Sequence, residues 1–427
     1  MSAADALRVG IFTDDFYPES GGVGRSVQLQ LQELSTSGHQ VTLFAPAARL
    51  APPVECAWQG LPYWRLPGTP SFLCSLKAGD ALARRIAAEH PGLQVVHSQN
   101  ERGAVFLAAK VAKLLNVAHV HTFHSNYAGT HLSSPAVAAL NSLTYLDWSG
   151  RWLRRLVATP PVRLGRSQVV VPAGETRLTA RDWRSMARLA SAVDRFTSPA
   201  QFVIDNLIAA SGGSLTTRAS TVPSGVSEVF GRARRSRARG PVTRFLSVGR
   251  LGPEKRTAVL LSAFDSLGRD DAELRIIGTG GSERALRQQA LRIRHGQVVF
   301  LGHFTEAELL AQELADADVF VLASHRFDTQ AMVLGEAAAT GTPILYCDQR
   351  LTVGTSPTNS LLTGPSPAEL AAGMRALADD VPRLMAMSAA SAKLGRTLGA
   401  ATMRENYLEV YRQAIADKAA RTAAVRP

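Results

Sequence analysis

Apolar positions along this chain follow two rhythms that alternate: short β-rich runs, and longer stretches with an apolar residue every three or four positions. Residues 8–13 predict a first strand, which ends before a turn rich in glycine at Gly21, Gly22 and Gly24. Residues 23–37 carry Val23, Val27, Leu31 and Leu34 at helical spacing, and Gly38 stands where a helix C-terminal glycine belongs. Segments 41–44, 95–97 and 118–122 predict further strands, with 103–115 a helix between the last two. The pattern restarts after Pro241. Strands are predicted over 245–248, 274–277, 298–301, 319–322 and 343–346, and helices over 257–267, 283–293, 306–314 and 332–340. Strand–helix–strand alternation implies parallel sheets covered on both faces. The reading is therefore an α/β chain of two doubly wound units in tandem. Their seam is expected near 212–222, where SGGSLTTRAS is small and polar. Residues 400–420 predict a long helix beyond the second sheet.

Length agrees, since 427 residues suit two domains of roughly 200. An apolar fraction of 46% with 19% charged residues fits a packed soluble enzyme and excludes a disordered or collagen-like chain. Charge adds a question: 47 basic side chains against 35 acidic ones give +12, and all but six of the basic residues are Arg. That balance favours anionic partners, whether nucleic acid, a membrane surface or phosphorylated small molecules, and composition does not choose among them. Cys56, Cys74 and Cys347 fit neither a disulfide framework nor a metal site and read as thiols in a reducing compartment. The segment MSAADALRVGIFTDD lacks the apolar core of a signal peptide, and apolar stretches such as 104–115 fall short of the ~20 residues of a membrane span. The expected location is cytoplasmic, with any membrane contact peripheral, on the inner face of the plasma membrane.

Two basic regions stand apart. WSGRWLRRLVATPPVRLGR at 148–166 mixes Trp148, Trp152, Leu153 and Leu156 with Arg151, Arg154, Arg155, Arg163 and Arg166. Such a helix either lies in a bilayer interface, with guanidinium groups on lipid phosphate, or packs on its own domain with a solvated Arg face. GRARRSRARG at 231–240 has no apolar partner and reads as a disordered surface loop.

The richest chemistry lies at 325–343, HRFDTQAMVLGEAAATGTP. Asp328 precedes a helical run and Glu336 follows eight residues later, about 12 Å along a helix at 1.5 Å per residue. A nucleotide sugar beside that helix would set one carboxylate on sugar hydroxyls and the other on ribose hydroxyls. The N–H groups of Thr329, Gln330, Ala331 and Met332 would then face the diphosphate. The alternative is an ordinary N-cap Asp and a core-edge Glu. Arg250 and Lys255, in SVGRLGPEKR after the strand 245–248, add two cations where α/β proteins bind ligands. They can neutralise a departing diphosphate. His97, His121 and His124 end two strands of the first half, but no carboxylate accompanies them at ligand spacing, so no metal is expected. A hydrogen bond from a histidine to a sugar hydroxyl, or a core position, remains open. PESGGVG at 18–24 offers N–H groups to an anion or an acceptor hydroxyl and is not a Walker loop, and GTGG from Gly278 lacks the dinucleotide register.

Together these segments resemble the retaining glycosyltransferases of family four, which have the GT-B fold, two Rossmann-like domains facing a central cleft. FTDDFYPESGGVGRSV is similar to the family's opening strand and glycine loop, HTFHS to its histidine segment, and VPSGV at 222–226 to the start of its donor domain. VGRLGPEK is similar to the diphosphate segment, FLGHF at 300–304 to the base-binding turn, and DTQAMVLGEAAATGTP to the two-carboxylate motif. The resemblance is closest to phosphatidylinositol mannosyltransferases and diacylglycerol glycosyltransferases. It implies an acceptor domain over 1–215, a nucleotide-sugar domain over 216–398, and a terminal helix over 399–427 packing back on the first domain. It places Gly22 against the donor phosphate or acceptor, His124 near the transferred sugar, Arg250 and Lys255 on the diphosphate, Asp328 on the sugar and Glu336 on the ribose. Gly278, Phe304 and residues Thr329, Gln330, Ala331 and Met332 fall among the donor-binding positions. Catalytic roles go to His124, Asp328, Arg250 and Lys255, with neither metal nor cofactor.

The implied activity is transfer of a hexose, mannose or glucose, with retention, from a donor of GDP-mannose or UDP-glucose type to a lipid or lipid-linked acceptor. The alternatives are the same chemistry on a sugar phosphate, inositol or oligosaccharide, and a sugar-nucleotide-binding protein without activity. Nucleic acid is not an expected partner. Two residues depart from the family pattern: Asp328 stands for the usual Glu, and Ala331 for a frequent glycine. An altered donor preference is the expected consequence.

Overall fold

The computed structural model describes residues 6–15, 21–47, 56–65, 74–127, 131, 135–157 and 161–425. They form two units, one of Met1–Ser224 with Ala400–Pro427 and one of Gly225–Gly399.

The first unit is built on β1 (Arg8–Phe12), β2 (Gln40–Pro46), β3 (Ala57–Leu61), β6 (Val95–Ser98), β7 (Ala118–Thr122), β8 (Arg195–Ser198) and β9 (Ala219–Thr221). These pair in parallel in the order β3-β2-β1-β6-β7-β8-β9, beside an antiparallel ribbon of β4 (Tyr63–Arg65) and β5 (Cys74–Leu76). Side chains alternate across the central strand. Val9 and Ile11 join Val27, Leu31 and Leu34 of the helix Gly22–Thr36 on one face, while Phe12 joins Phe44, Ile86, Leu107 and Val111 on the other. The helix Ala400–Val425 completes the first face with Met403, Tyr407, Tyr411 and Ala414, spaced to form one helical stripe. Strand order reverses between β1 and β6, so the ligand-accepting edge lies beyond the carboxyl ends of those two strands.

The second unit holds β10 (Thr243–Val248), β11 (Ala272–Ile277), β12 (Gln297–Gly302), β13 (Val319–Leu322), β14 (Ile344–Tyr346) and β15 (Ser360–Leu362), all parallel in the order β12-β11-β10-β13-β14-β15. Its switch point falls between β10 and β13. Phe245, Leu261, Phe264, Leu274, Leu370 and Met374 fill one face, and Leu246, Leu314, Phe320, Leu334 and Ile344 the other. Two parallel sheets with flanking helices are the two doubly wound units that the alternation predicts and the GT-B architecture that the resemblance implies.

Two local expectations need correction, and a third segment keeps features of both readings left open. The small, polar stretch at 212–222 is not a linker: Ala219–Thr221 is the edge strand β9, and the first unit continues to Ser224. The basic run at 231–240 is not a free loop. Asp316 accepts from the N–H and Oγ of Ser236 at 2.7 Å, and Asp318 accepts from Arg235, Arg237 and Arg239. These two carboxylates flank Ala317 at the start of β13 and fold the arginines inward. The basic Trp segment divides its contacts. In the helix Asp147–Leu156, Leu153 is fully buried, Trp152 packs on Phe106 with centroids 4.6 Å apart, and Trp148 stacks on Trp152 at 5.0 Å while staying 51% exposed. Among the described residues no helix is long and apolar enough to cross a membrane.

Candidate active site

The residues expected on the donor side gather at the carboxyl edge of the second sheet because each follows a strand. Gly249, Arg250 and Lys255 follow β10, Gly278 follows β11, Phe304 follows β12, and Asp328 to Met332 follow β13. Gly249 and Gly278 have φ of 153° and 140°, and a Cβ on Gly278 would meet the Gly249 carbonyl at 1.9 Å. Glycine at 278 thus lets two strand ends close to van der Waals contact, leaving backbone rather than side chains at the edge. The next turn, Pro253–Lys255, ends at Arg256 in the left-handed region, whose guanidinium donates to the carbonyls of Ala323 (3.1 Å) and Pro365 (2.6 Å). That clamp ties the β10 loop to the end of β13.

Lys255 and Asp328 meet directly, Nζ donating to Oδ1 at 2.5 Å. Asp328 is not the N-cap of the following helix, because Ala331 holds that position with no side-chain cap. Its second oxygen, Oδ2, is buried without a hydrogen-bond partner among the described residues. Arg250 is held by Glu254 at 2.6 Å and stays half-exposed. Ala331 has φ 56° and ψ 73°, a left-handed conformation that costs an L-residue about 1–2 kcal/mol. Glu336 lies within the helix Met332–Ala339 and is 2% exposed. The loop ahead of the helix is fixed as well: the Arg326 N–H donates to Asp348 at 2.7 Å, and Arg350 holds that carboxylate. Two cations, two carboxylates and the N-terminus of a helix are thus brought together on one sheet edge.

In the first unit Gly22 opens the helix after β1, with Gly21 as its N-cap; residues 16–20 of the same turn lie outside the described residues. His124 follows β7. Its Nε2 lies 2.7 Å from Gln99 Oε1, which only accepts, so that nitrogen carries the proton. Gln99 donates to Gln30 (2.7 Å), and Gln30 to the Tyr411 hydroxyl (2.8 Å), so a chain of amides holds the imidazole. Burial pushes the His124 pKa down to about 4 and keeps it neutral. Its Nε2 proton is already given to Gln99, so bonding a sugar hydroxyl through that atom means exchanging partners. His97 and His121 are core residues, His97 between Tyr411 and Thr122 at 2.7 Å each and His121 on Ser98 at 2.8 Å. No group of three or more His, Cys, Asp or Glu among the described residues is placed to hold a metal.

Sequence reading missed the partners. Glu254 sits four residues from Arg250, the ion-pair spacing of a helical turn, and was legible. Gln30, Gln99, Asp14 and Glu101 were not singled out, although the last three directly follow β1 or β6 at a strand-order reversal. Asp14 is fully buried, accepts from the N–H groups of Leu76 and Ala104, and is pushed up to a pKa of about 6 by desolvation. It anchors the β5 ribbon and the helix Gly103–Leu115 to the end of β1.

Residues 20–228 match the family described as Glycosyltransferase Family 4, and residues 242–380 match Glycosyl transferases group 1. Among similar proteins is the alpha-monoglucosyldiacylglycerol synthase of Streptococcus pneumoniae, 24% identical over 79% of this chain and 70% of that protein. A GDP-mannose-dependent alpha-mannosyltransferase of Mycolicibacterium smegmatis is 28% identical over 80% of each chain. Among solved structures, sucrose-phosphate synthase from Thermosynechococcus elongatus superposes with a TM-score of 0.71 at 15% identity, covering 96% of this chain and 99% of the other. Matches in both units, in family order and on a GT-B fold, lead to one conclusion: this chain belongs to the glycosyltransferases of family four.

Proposed function

We propose that the protein transfers a hexose, mannose or glucose, with retention, from a nucleotide-diphosphate sugar to a lipid or lipid-linked acceptor at the cytoplasmic face of a membrane. The observation that carries the donor half is the Lys255–Asp328 pair beside a helix N-terminus at the switch point of the second sheet. In this reading Lys255 and Arg250 neutralise the diphosphate, and the N–H groups of Thr329, Gln330, Ala331 and Met332 meet its oxygens. Asp328 exchanges Lys255 for sugar hydroxyls, Glu336 accepts from the ribose, and Phe304 and Gly278 line the nucleotide. Gly22 lies against phosphate or acceptor, and His124 near the sugar. The bond from C1 to the leaving phosphate oxygen breaks as the acceptor oxygen bonds C1 on the same face, and the acceptor proton passes to that phosphate. No metal is required for these steps.

The acceptor half is supported by relatives named for a glycolipid synthase and a mannosyltransferase, and by the surface of the 135–156 segment. There Leu140, Leu143 and Trp148 are 65%, 55% and 51% exposed, next to exposed Arg151 and Arg155. Purified protein is incubated with GDP-mannose or UDP-glucose and vesicles containing diacylglycerol or a glycolipid. Labelled lipid product is expected, and Glu336→Ala should lower its rate at least a hundredfold. Equal rates for the variant would sink the donor assignment; product only on a sugar phosphate, inositol or oligosaccharide would replace the lipid acceptor. Thermal shift with GDP, UDP and ADP identifies the base, because the bound diphosphate stabilises the fold by mass action.

A further inference from the structure

Glu101 follows β6 at the switch point of the first sheet, and nothing in the proposed chemistry uses it. It is 1% exposed. Oε2 accepts from the Ser125 hydroxyl at 3.1 Å and from the Tyr127 hydroxyl at 3.3 Å, while Oε1 is buried and makes no hydrogen bond among the described residues. The Tyr145 hydroxyl donates to the Glu101 carbonyl at 2.8 Å and fixes the backbone beneath the carboxyl. Ser125 and Tyr127 lie on the loop that follows β7, and His124 is on the same loop.

We infer that Glu101 is a positioning residue whose buried carboxyl fastens the loop 123–127, and with it His124, to the carboxyl end of β6. The consequence for catalysis rests on His124 lying near the transferred sugar. The fastening works as a neutral acid. Asp14 and the Asp15–Arg102 ion pair stand on adjoining loops, Tyr127 and Tyr145 face the carboxyl, and its bonding partners are hydroxyls and the Ser125 N–H rather than a cation. Those donors favour the charged form, but burial outweighs them and pushes its pKa up to about 7. A solvated glutamate in an opened loop titrates near 4.5, so opening becomes easier as pH rises from about 4.5 to about 7 and no easier beyond. Glutamine reproduces the shape without the titration, and alanine removes the fastening.

Hydrogen–deuterium exchange of the peptide spanning 123–127, corrected for intrinsic rates, tests this whether or not transfer is detected. In the wild type, protection should fall at least tenfold between pH 5 and pH 7 and then level off. Glu101→Gln should hold it constant over that range, and Glu101→Ala should lose it throughout. Where an assay is in hand, Glu101→Ala should lower kcat/KM at least tenfold with GDP or UDP binding unchanged, and Glu101→Gln should rescue it. If Glu101→Ala fails to fold, the Ser125→Ala/Tyr127→Phe pair gives the same loss of protection from the loop side. A pH dependence that persists in Glu101→Gln, or a loop that stays protected without the carboxyl, would overturn the inference.

Discussion

Single residues at the proposed donor edge are assigned both stability and binding, and substitutions can separate the two. Lys255 is only 22% exposed and Asp328 10%, so removing the lysine leaves a nearly buried carboxylate without its cation. Lys255→Ala should cost about 2–3 kcal/mol in urea unfolding. Adding Asp328→Asn should restore most of that loss, because the orphaned charge is gone, while GDP or UDP binding stays weak. A double variant that bound nucleotide like the wild type would remove Lys255 from the diphosphate site. Ala331 poses the opposite case. Its left-handed backbone is strained by a Cβ, and Ala331→Gly relieves that strain against the larger chain entropy of glycine, for a net gain of roughly 0.5–1 kcal/mol. A lower urea midpoint for the glycine variant would show that the strain is absent.

Elements divide into those legible from the pattern and those that only packing reveals. The helices Gly103–Leu115 and Thr257–Leu267 and the strands β7 and β13 were predicted residue for residue, because apolar runs bounded by polar or glycine residues leave little choice of period. The helix Arg177–Ala190 went unread because arginines interrupt its face, though Trp183, Met186, Ala187 and Ala190 form a buried stripe. Strands β8, β9 and β15 are three or four residues long, too short to show alternation. The residues proposed for the donor were picked out because strand ends followed by Gly-Arg or by spaced carboxylates are local signals. The amide chain from His124 to Tyr411 was not, because its members are scattered over some 380 residues and meet only when the sheet forms. The same strand ends predict a pH response. Burial depresses His97, His119, His121 and His124, with His119 near 3 and His124 near 4, so each binds protons in the unfolded chain before it does in the folded one. Stability from these groups is present above about pH 6.5 and is lost as pH falls towards 4. Asp14 and Glu101, both raised, act with the opposite sign in the same window. His39, also lowered, and Asp182, also raised, make this five histidines against three acids, which leaves the first sign in control, and the melting temperature should rise between pH 4.5 and 6.5. Glu101→Gln should make that rise steeper, since it deletes one opposing term.

At the scale of the whole molecule the excess of +12 resolves into groups with different work. Arg235, Arg237 and Arg239 are folded onto Asp318, and Arg275 onto Glu273 and Glu313; these guanidinium groups are largely buried and serve as cross-links within their own unit. Arg250 and Lys255 are assigned to the proposed donor edge. The 147–156 helix and its neighbours are different. Asp147 gathers Arg151, Arg181 and Arg188, and one carboxylate cannot neutralise three guanidinium groups, so that surface keeps a positive charge. Leu140, Leu143 and Trp148 stand exposed beside it, and apolar side chains next to unneutralised arginines match an anionic bilayer surface better than water. Each arginine near such a surface contributes about 1 kcal/mol and each buried large apolar side chain about 1.5–3 kcal/mol. The protein should therefore cosediment with vesicles containing anionic lipid at low salt and be released as salt is raised. Arg151→Ala/Arg155→Ala should weaken binding about tenfold or more at low salt, since two such contributions are lost. Leu143→Ser/Trp148→Ser should weaken it at every salt concentration, because apolar burial is not screened. Transfer to a water-soluble acceptor, if present, should be untouched by either pair. Binding to neutral vesicles as tight as to anionic ones would remove the arginines from the interface, and no binding at all would leave the stripe without a membrane role.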